Sequence, residues 1–299
     1  MLDRAESSGE EILAGVDTVL VTGASGFIGR HLCDRLEVLG KTVIRTSRGA
    51  GVDLTKDELP LHGVGHVFHA GARTGVPAAW ENPAAFIETN TLGTVRVLDQ
   101  CRRHGCGVSF LSAYVYGNPQ RIPIRETDPI DANNPYALSK YLAEQACCFF
   151  AKTYGVDVVT LRLFNVYGPG QSSNFLIPFI VEQAVNPACD KIEVMDLRPS
   201  RDYIYINDVI EAILRSTRAS SGSVFNVGSG GAHSVEDIIK LVCEAAGVNK
   251  PYFGKAQRRE NEIDLTKADI SALYYAVGWK PQTTLAAGLR EMVKCRTGS

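Results

Sequence analysis

With 299 residues and a formal net charge of −2, the chain has no bulk attraction for nucleic acid or for an acidic lipid surface. Apolar residues make up 45% of it, enough for a large α/β unit with a smaller lobe, and no run reaches the ~18–20 apolar residues of a membrane span. Its eight cysteines include no C-x-x-C pair. Cys101-x-x-His104-x-Cys106 comes near metal spacing but lacks a second half, so no metal is expected and the thiols suit a reducing, cytoplasmic setting.

Residues 1–15 are acidic, lack the apolar core of a secretion signal, and are expected to form a flexible extension. The apolar run Thr18–Thr22 reads as a strand leading into Gly23-Ala24-Ser25-Gly26-Phe27-Ile28-Gly29. Ile28, Leu32, Leu36 and Leu39 then recur at helical spacing until Gly40. Strands follow at Thr42–Thr46 and 66–70, a helix at about 91–101, and a strand at 107–112. A long apolar helix is expected over 138–154 and a strand over 156–164. This alternation predicts a Rossmann-type, doubly wound parallel sheet. Beyond Gly168-Pro169-Gly170, prolines punctuate shorter elements: strand, turn and helix over 204–218, a strand at Val224–Val227, and a capping box at Ser234-x-x-Asp237. The expected division is a dinucleotide-binding domain over 16–170, rejoined by 203–222, and a substrate-binding α/β lobe made of 171–202 and 223–299.

Glycines between a strand and a helix let backbone amides approach a pyrophosphate, with the helix N-terminus aimed at its charge. Gly23, Gly26, Phe27, Ile28 and Gly29 are therefore candidate cofactor residues. An acid at the end of the second strand would accept from the adenosine ribose and repel a 2′-phosphate. Here the chain reads Arg45-Thr46-Ser47-Arg48, with no acid before Asp53. Ser47 and Arg48 can pair with a phosphate, so NADP is slightly favoured over NAD, with Asp53 and Leu54 beside the adenine. Tyr136 and Lys140, four apart after Pro135, share one face of a helix. A neighbouring ammonium and a nicotinamide cation are expected to lower the phenol's pKa, so that Tyr136 exchanges a proton with a sugar hydroxyl while hydride moves. Ser112, ending a strand, would hydrogen-bond the same oxygen.

Together these segments resemble the extended short-chain dehydrogenase/reductases of the NAD-dependent epimerase/dehydratase family, which act on nucleotide sugars. The resemblance is carried by GASGFIG, VDL at 52–54, HAGA at 69–72, ETNTLGT at 88–94, LSAYVYG at 111–117, PYALSK, LRLFNVYGPG, RDYIYINDV, FNVGSG and GWKP. It implies a catalytic trio of Ser112, Tyr136 and Lys140. Ala70, Gly71, Ala72, Asn90 and Phe164 would lie by the cofactor. Asn165, Arg201, Arg259 and Glu262 would contact the sugar nucleotide, whose loops include Thr74 and Asn174. The family's dehydratases carry Asp-Glu where this chain has Ala113-Tyr114, and its decarboxylases commonly have Glu at Tyr114, so neither elimination nor decarboxylation is expected. A 4-epimerase and a 4-keto-sugar reductase remain level, and a non-catalytic NADP-binding sensor is a third reading. In the family the helices near 91–104 and 138–154 pair in a homodimer, which here would use Leu138, Leu142, Ala146 and Phe149.

Overall fold

The computed structural model describes residues 13–255 and 262–298. Its strands in chain order are β1 (Thr18–Thr22), β2 (Thr42–Thr46), β3 (His66–His69), β4 (Gly107–Ala113), β5 (Val158–Leu163), β6 (Asn165–Tyr167), β7 (Ile192–Val194), β8 (Ser200–Arg201), β9 (Tyr203–Tyr205), β10 (Val224–Val227), β11 (His233–Ser234) and β12 (Tyr252–Gly254). The helices are α1 (Phe27–Val38), α2 (Val76–Glu81), α3 (Pro83–Phe86), α4 (Gly93–His104), α5 (Pro135–Tyr154), α6 (Leu176–Val185), α7 (Ile206–Ser216), α8 (Val235–Ala246), α9 (Ser271–Val277) and α10 (Leu285–Thr297). Among the described residues six parallel strands form one sheet in the order β10-β5-β4-β3-β1-β2, while β11–β8, β12–β7 and β6–β9 are separate pairs.

Alternation along the central strands decides which layer each side chain enters. Val19, Val21, Leu111, Val159 and Leu161 pack with Leu32 and Leu36 of α1 and Val209 and Ile213 of α7. That core runs on into the lobe through Ile177 and Ile180 of α6 and Ile238 of α8. Leu20, Val67, Val108 and Phe110 face the other way, onto Val97 and Leu98 of α4 and Ala143 and Cys147 of α5. Ser112 stands two residues beyond Phe110 and so shares its face of β4, toward α5. The edge strand β2 is only half covered, and its exposed Arg45 pairs with Asp34 and Glu37.

Three expectations change. The expected extension, 1–15, lies outside the described residues up to residue 12, but Leu13 is buried in the core and its carbonyl accepts from Lys41 Nζ at 3.2 Å. Val224–Val227 pairs with β5 as the sixth strand of the large sheet, not with the lobe. Between 204 and 218, α7 returns to pack on α1, whereas β9 pairs with β6 outside the large sheet. Asp208, in the first turn of α7, accepts from the amides of Gln282 and Thr283, while its carbonyl takes the Trp279 indole N–H at 3.1 Å. The GWKP segment is thereby fastened to the sheet layer. No helix among the described residues is long and apolar enough to cross a membrane.

Candidate functional site

The crevice lies at the carboxyl ends of β1 to β4, where a doubly wound sheet binds ligands. Gly23 has φ +66°, and a Cβ there would come within 2.7 Å of the Gly71 backbone, so the turns after β1 and β3 are pressed together. A Cβ on Gly29 would run into the Gly23 carbonyl. Gly26, in extended conformation, begins α1 with no side-chain cap and no acid in the first turn. The leading amides, with Phe27 and Ile28 above them, are thus left for an anion. Thr22 Oγ1 accepts from the Gly71 amide at 3.0 Å and meets His69 Nδ1 at 2.7 Å, while His69 Nε2 meets Thr94 Oγ1 at 2.9 Å. Burial drives the His69 pKa down to about 3, so this imidazole is a neutral strut setting the positions of Ala70, Gly71 and Ala72.

After β2, Ser47 caps a short turn through the Ala50 amide, and Arg48 is exposed. Its guanidinium stands 3.6 Å from Asp53 Oδ2. The Asp53 carboxylate is itself held by Thr55 N–H and O–H. Leu54 fills the space between Gly71 and Gly93. Asn90 lies in a π-helical turn, Ile87–Leu92, ahead of α4. Its side chain accepts from Arg73 N at 2.7 Å and donates to Arg73 O at 3.0 Å and to Ser139 Oγ at 2.9 Å. Ser139 Oγ in turn donates to Tyr136 O at 2.8 Å. Asn90 therefore ties the loop after β3 to the first turn of α5.

That turn starts with Pro135, and the Asn134 side chain accepts from Ala137 N. Tyr136 lies edge-on to Phe86 with centroids 6.2 Å apart, and its hydroxyl has no hydrogen bond among the described residues. Lys140, buried, holds Nζ 4.2 Å from the centre of the Phe110 ring. Burial pushes the Tyr136 pKa up to about 12 and the Lys140 pKa down to about 8. The lowered phenol pKa expected from the ammonium and a nicotinamide cation together is therefore not a property of the protein alone, in which burial sets the direction. In the surroundings that the chain itself provides, Tyr136 is a neutral phenol.

Ser112 Oγ donates to Glu144 Oε1 at 2.5 Å. Glu144, a further turn along from Lys140, is clamped by Arg162 of β5, with Nη2 to Oε2 at 2.8 Å. Sequence reasoning missed this pair. A lone arginine inside Val158–Leu163 and the i, i+4 continuation Tyr136, Lys140, Glu144 were its only signals.

On the lobe side Phe164 is buried edge-on to Tyr114, with centroids 5.4 Å apart. Arg201 is ion-paired with Glu262, stands in register with His233, and bears electrostatically on Tyr114. Arg201 and Glu262 are thus brought together beside the end of β4. Asn165 donates to Asp202 O at 3.3 Å. Thr74 and Asn174 are exposed on loops, without side-chain hydrogen bonds among the described residues. Arg259 lies outside the described residues.

Residues 19–228 match the model of the NAD dependent epimerase/dehydratase family. The GDP-6-deoxy-D-mannose reductase of Pseudomonas aeruginosa is 31% identical over 92% of this chain and 95% of its own. A putative UDP-glucose 4-epimerase of Methanocaldococcus jannaschii is 29% identical over 92% and 97%. A structure of Pseudomonas aeruginosa RMD complexed with NADPH superposes with a TM-score of 0.86 at 31% identity, covering 93% of this chain and 98% of that one. A UDP-glucose 4-epimerase of Thermotoga maritima solved with UDP-glucose gives 0.86 at 28% identity, over 94% and 99%.

Proposed function

The chain belongs to the NAD dependent epimerase/dehydratase family, and on that premise we propose that it transfers hydride at C4 of a nucleotide-bound sugar, acting as an NADPH-dependent 4-keto-sugar reductase. The end of β2 carries this reading. Thr46-Ser47-Arg48 offers an exposed guanidinium where a 2′-phosphate would lie, and bidentate pairing of guanidinium with phosphate favours NADP over NAD. The similarity to a GDP-6-deoxy-D-mannose reductase supports the choice of substrate class.

When bound, the nicotinamide supplies the hydride. The residues then divide the remaining work. The glycine turn and the first amides of α1 bind the pyrophosphate. Tyr136, a neutral phenol in its buried surroundings, donates its proton to the C4 oxygen as negative charge grows there. Lys140, with three donors and no hydrogen-bonded partner among the described residues, steadies the phenolate that is left. Ser112 orients the C4 oxygen. Arg201, with Arg259, neutralises the sugar nucleotide's diphosphate, and Glu262 accepts from its ribose.

A second reading, a 4-epimerase retaining NAD, is favoured by Asp53 lying within ion-pair distance of Arg48. A sensor is disfavoured, because such a protein has no use for the serine, tyrosine and lysine together. We also propose a homodimer through α4 and α5, and residence in the cytoplasm, which the eight free thiols support.

The purified protein should consume NADPH in preference to NADH with a GDP-bound 4-keto-6-deoxy sugar. Arg48→Ala should weaken NADPH binding about tenfold, the loss of one charged contact, and leave NADH unchanged. Tightly retained NAD together with interconversion of UDP-glucose and UDP-galactose would replace the reductase by the epimerase.

A further inference from the structure

We propose that Glu144 is a positioning residue for this reaction, fixing the Ser112 side chain in a single rotamer; the inference rests on the hydride-transfer reading above. Ser112 shares the α5-facing side of β4 with Phe110, whose ring lies under Lys140 Nζ. The serine and the lysine are therefore neighbours in one layer between β4 and α5. Ser112 Oγ donates to Glu144 Oε1 at 2.5 Å.

The carboxylate is itself fixed. Arg162 Nε reaches Oε1 and Oε2 at 3.2 and 3.1 Å, and Nη2 reaches Oε2 at 2.8 Å. The remaining arm of the guanidinium is anchored as well: Nη1 donates to Tyr116 OH at 2.9 Å and to Glu126 O at 3.1 Å. Tyr116 OH donates in turn to Asn226 Oδ1 at 2.6 Å, which ties the chain of contacts to β10. Ser112, Glu144, Arg162, Tyr116 and Asn226 are all buried.

A buried ion pair is a weak source of stability compared with apolar residues of the same volume, so its presence behind Ser112 calls for another reason. Geometry supplies one. A serine without a partner samples three rotamers. One whose Oγ is held against a clamped carboxylate keeps a single rotamer, so its hydroxyl meets the C4 oxygen from one fixed place. Orientation settled before substrate arrives need not be achieved during the reaction.

The test compares the native full chain with Ser112→Ala, Glu144→Gln and the double variant, using NADPH with a GDP-bound 4-keto-6-deoxy sugar, and NAD with UDP-glucose. Glu144→Gln should lower kcat about tenfold, within the range that misplacement of a site group produces, while leaving KM nearly unchanged. In the Ser112→Ala background the same substitution should cost almost nothing more, because the two residues act as a unit. An equal loss in both backgrounds, or none in either, overturns the proposal. Should Glu144→Gln strand the Arg162 charge and fail to fold, Glu144→Gln with Arg162→Met removes that charge and carries the same comparison. If neither substrate pair is turned over by the native chain, the functional reading fails and the carboxylate decides the rest. The antisymmetric stretch assigned to Glu144 by difference infrared should shift on Ser112→Ala, and an unmoved band overturns the hold on Ser112.

Discussion

Tyr136 and Lys140 show how burial prepares two groups in opposite directions. The phenol, pushed up to about 12, keeps its proton, as the proposed acid for a C4 carbonyl must. The lysine, brought down to about 8 from 10.5, is held in a place that resists its charge. Between those two values the unfolded chain still binds a proton that the folded chain has released, so this residue's contribution to stability rises with pH. Thermal melts from pH 8 to 10 should therefore show the native protein gaining on Lys140→Met, by up to about 1.4 kcal/mol per pH unit. Parallel curves would mean the ammonium is solvated after all. Tyr136→Phe removes only the acid: turnover should fall by about 10²–10⁴-fold, while a fluorescence titration finds NADPH bound as before. A variant that keeps its rate would mean that Tyr136 is not the acid, whereas a native chain that binds NADPH without turnover would point to the sensor.

At the level of elements, Asp202 joins the two halves of the chain. Lying between β8 and β9, its buried carboxylate accepts from Ser229 N and Oγ at 2.6 and 2.7 Å and from Gly230 N and Ala268 N at 3.0 Å. The loop after β10 and the segment near Ala268 are thereby fixed beside Arg201. Asp202→Ala would leave these amides unpaired, at about 1–3 kcal/mol each. Urea unfolding should show a loss of about 3 kcal/mol or more, with KM for the sugar nucleotide raised. A loss below about 1 kcal/mol would mean that water replaces the carboxylate.

The same elements explain what could be read from the sequence. β1, β2 and β10 match their expected bounds because β-branched and apolar residues fill them between clear turn signals. The place of β10 in the sheet was not legible, since its pairing with β5 joins Val224 to Thr160 across more than sixty residues. The π-helical turn at Ile87–Leu92 breaks the 3.6-residue period that a helix search relies on. In the site, Ser112, Tyr136 and Lys140 stood out by type and spacing. Glu144 became visible only when α5 was laid against β5 and its carboxylate met Arg162.

For the whole molecule the decisive surface is the outer face of α5. Leu138, Leu142 and Phe149 form an exposed stripe at helical spacing, with Ala146 half-buried beside it. Exposed Leu92 and Trp80 extend the apolar area toward α4 and α2. Apolar side chains gathered on one face mark an interface, whereas scattered ones do not. The flanking charges on α4, with Arg102 and Arg103 paired to Asp99, give the polar rim that such a patch needs. Two copies meeting by a two-fold axis would each cover the other's stripe, and about 800 Å² per partner makes a stable contact of this kind. Sedimentation velocity should accordingly report twice the 32.4 kDa of one chain. Leu138→Glu with Leu142→Glu should bring it to a single chain, because four like charges would face one another across the axis. Both positions are exposed in the lone chain and lie on the far side of α5 from Lys140 and Glu144, so the monomer should still bind NADPH. If the native protein sediments as one chain, the stripe is not a dimer contact and α5 serves the crevice alone.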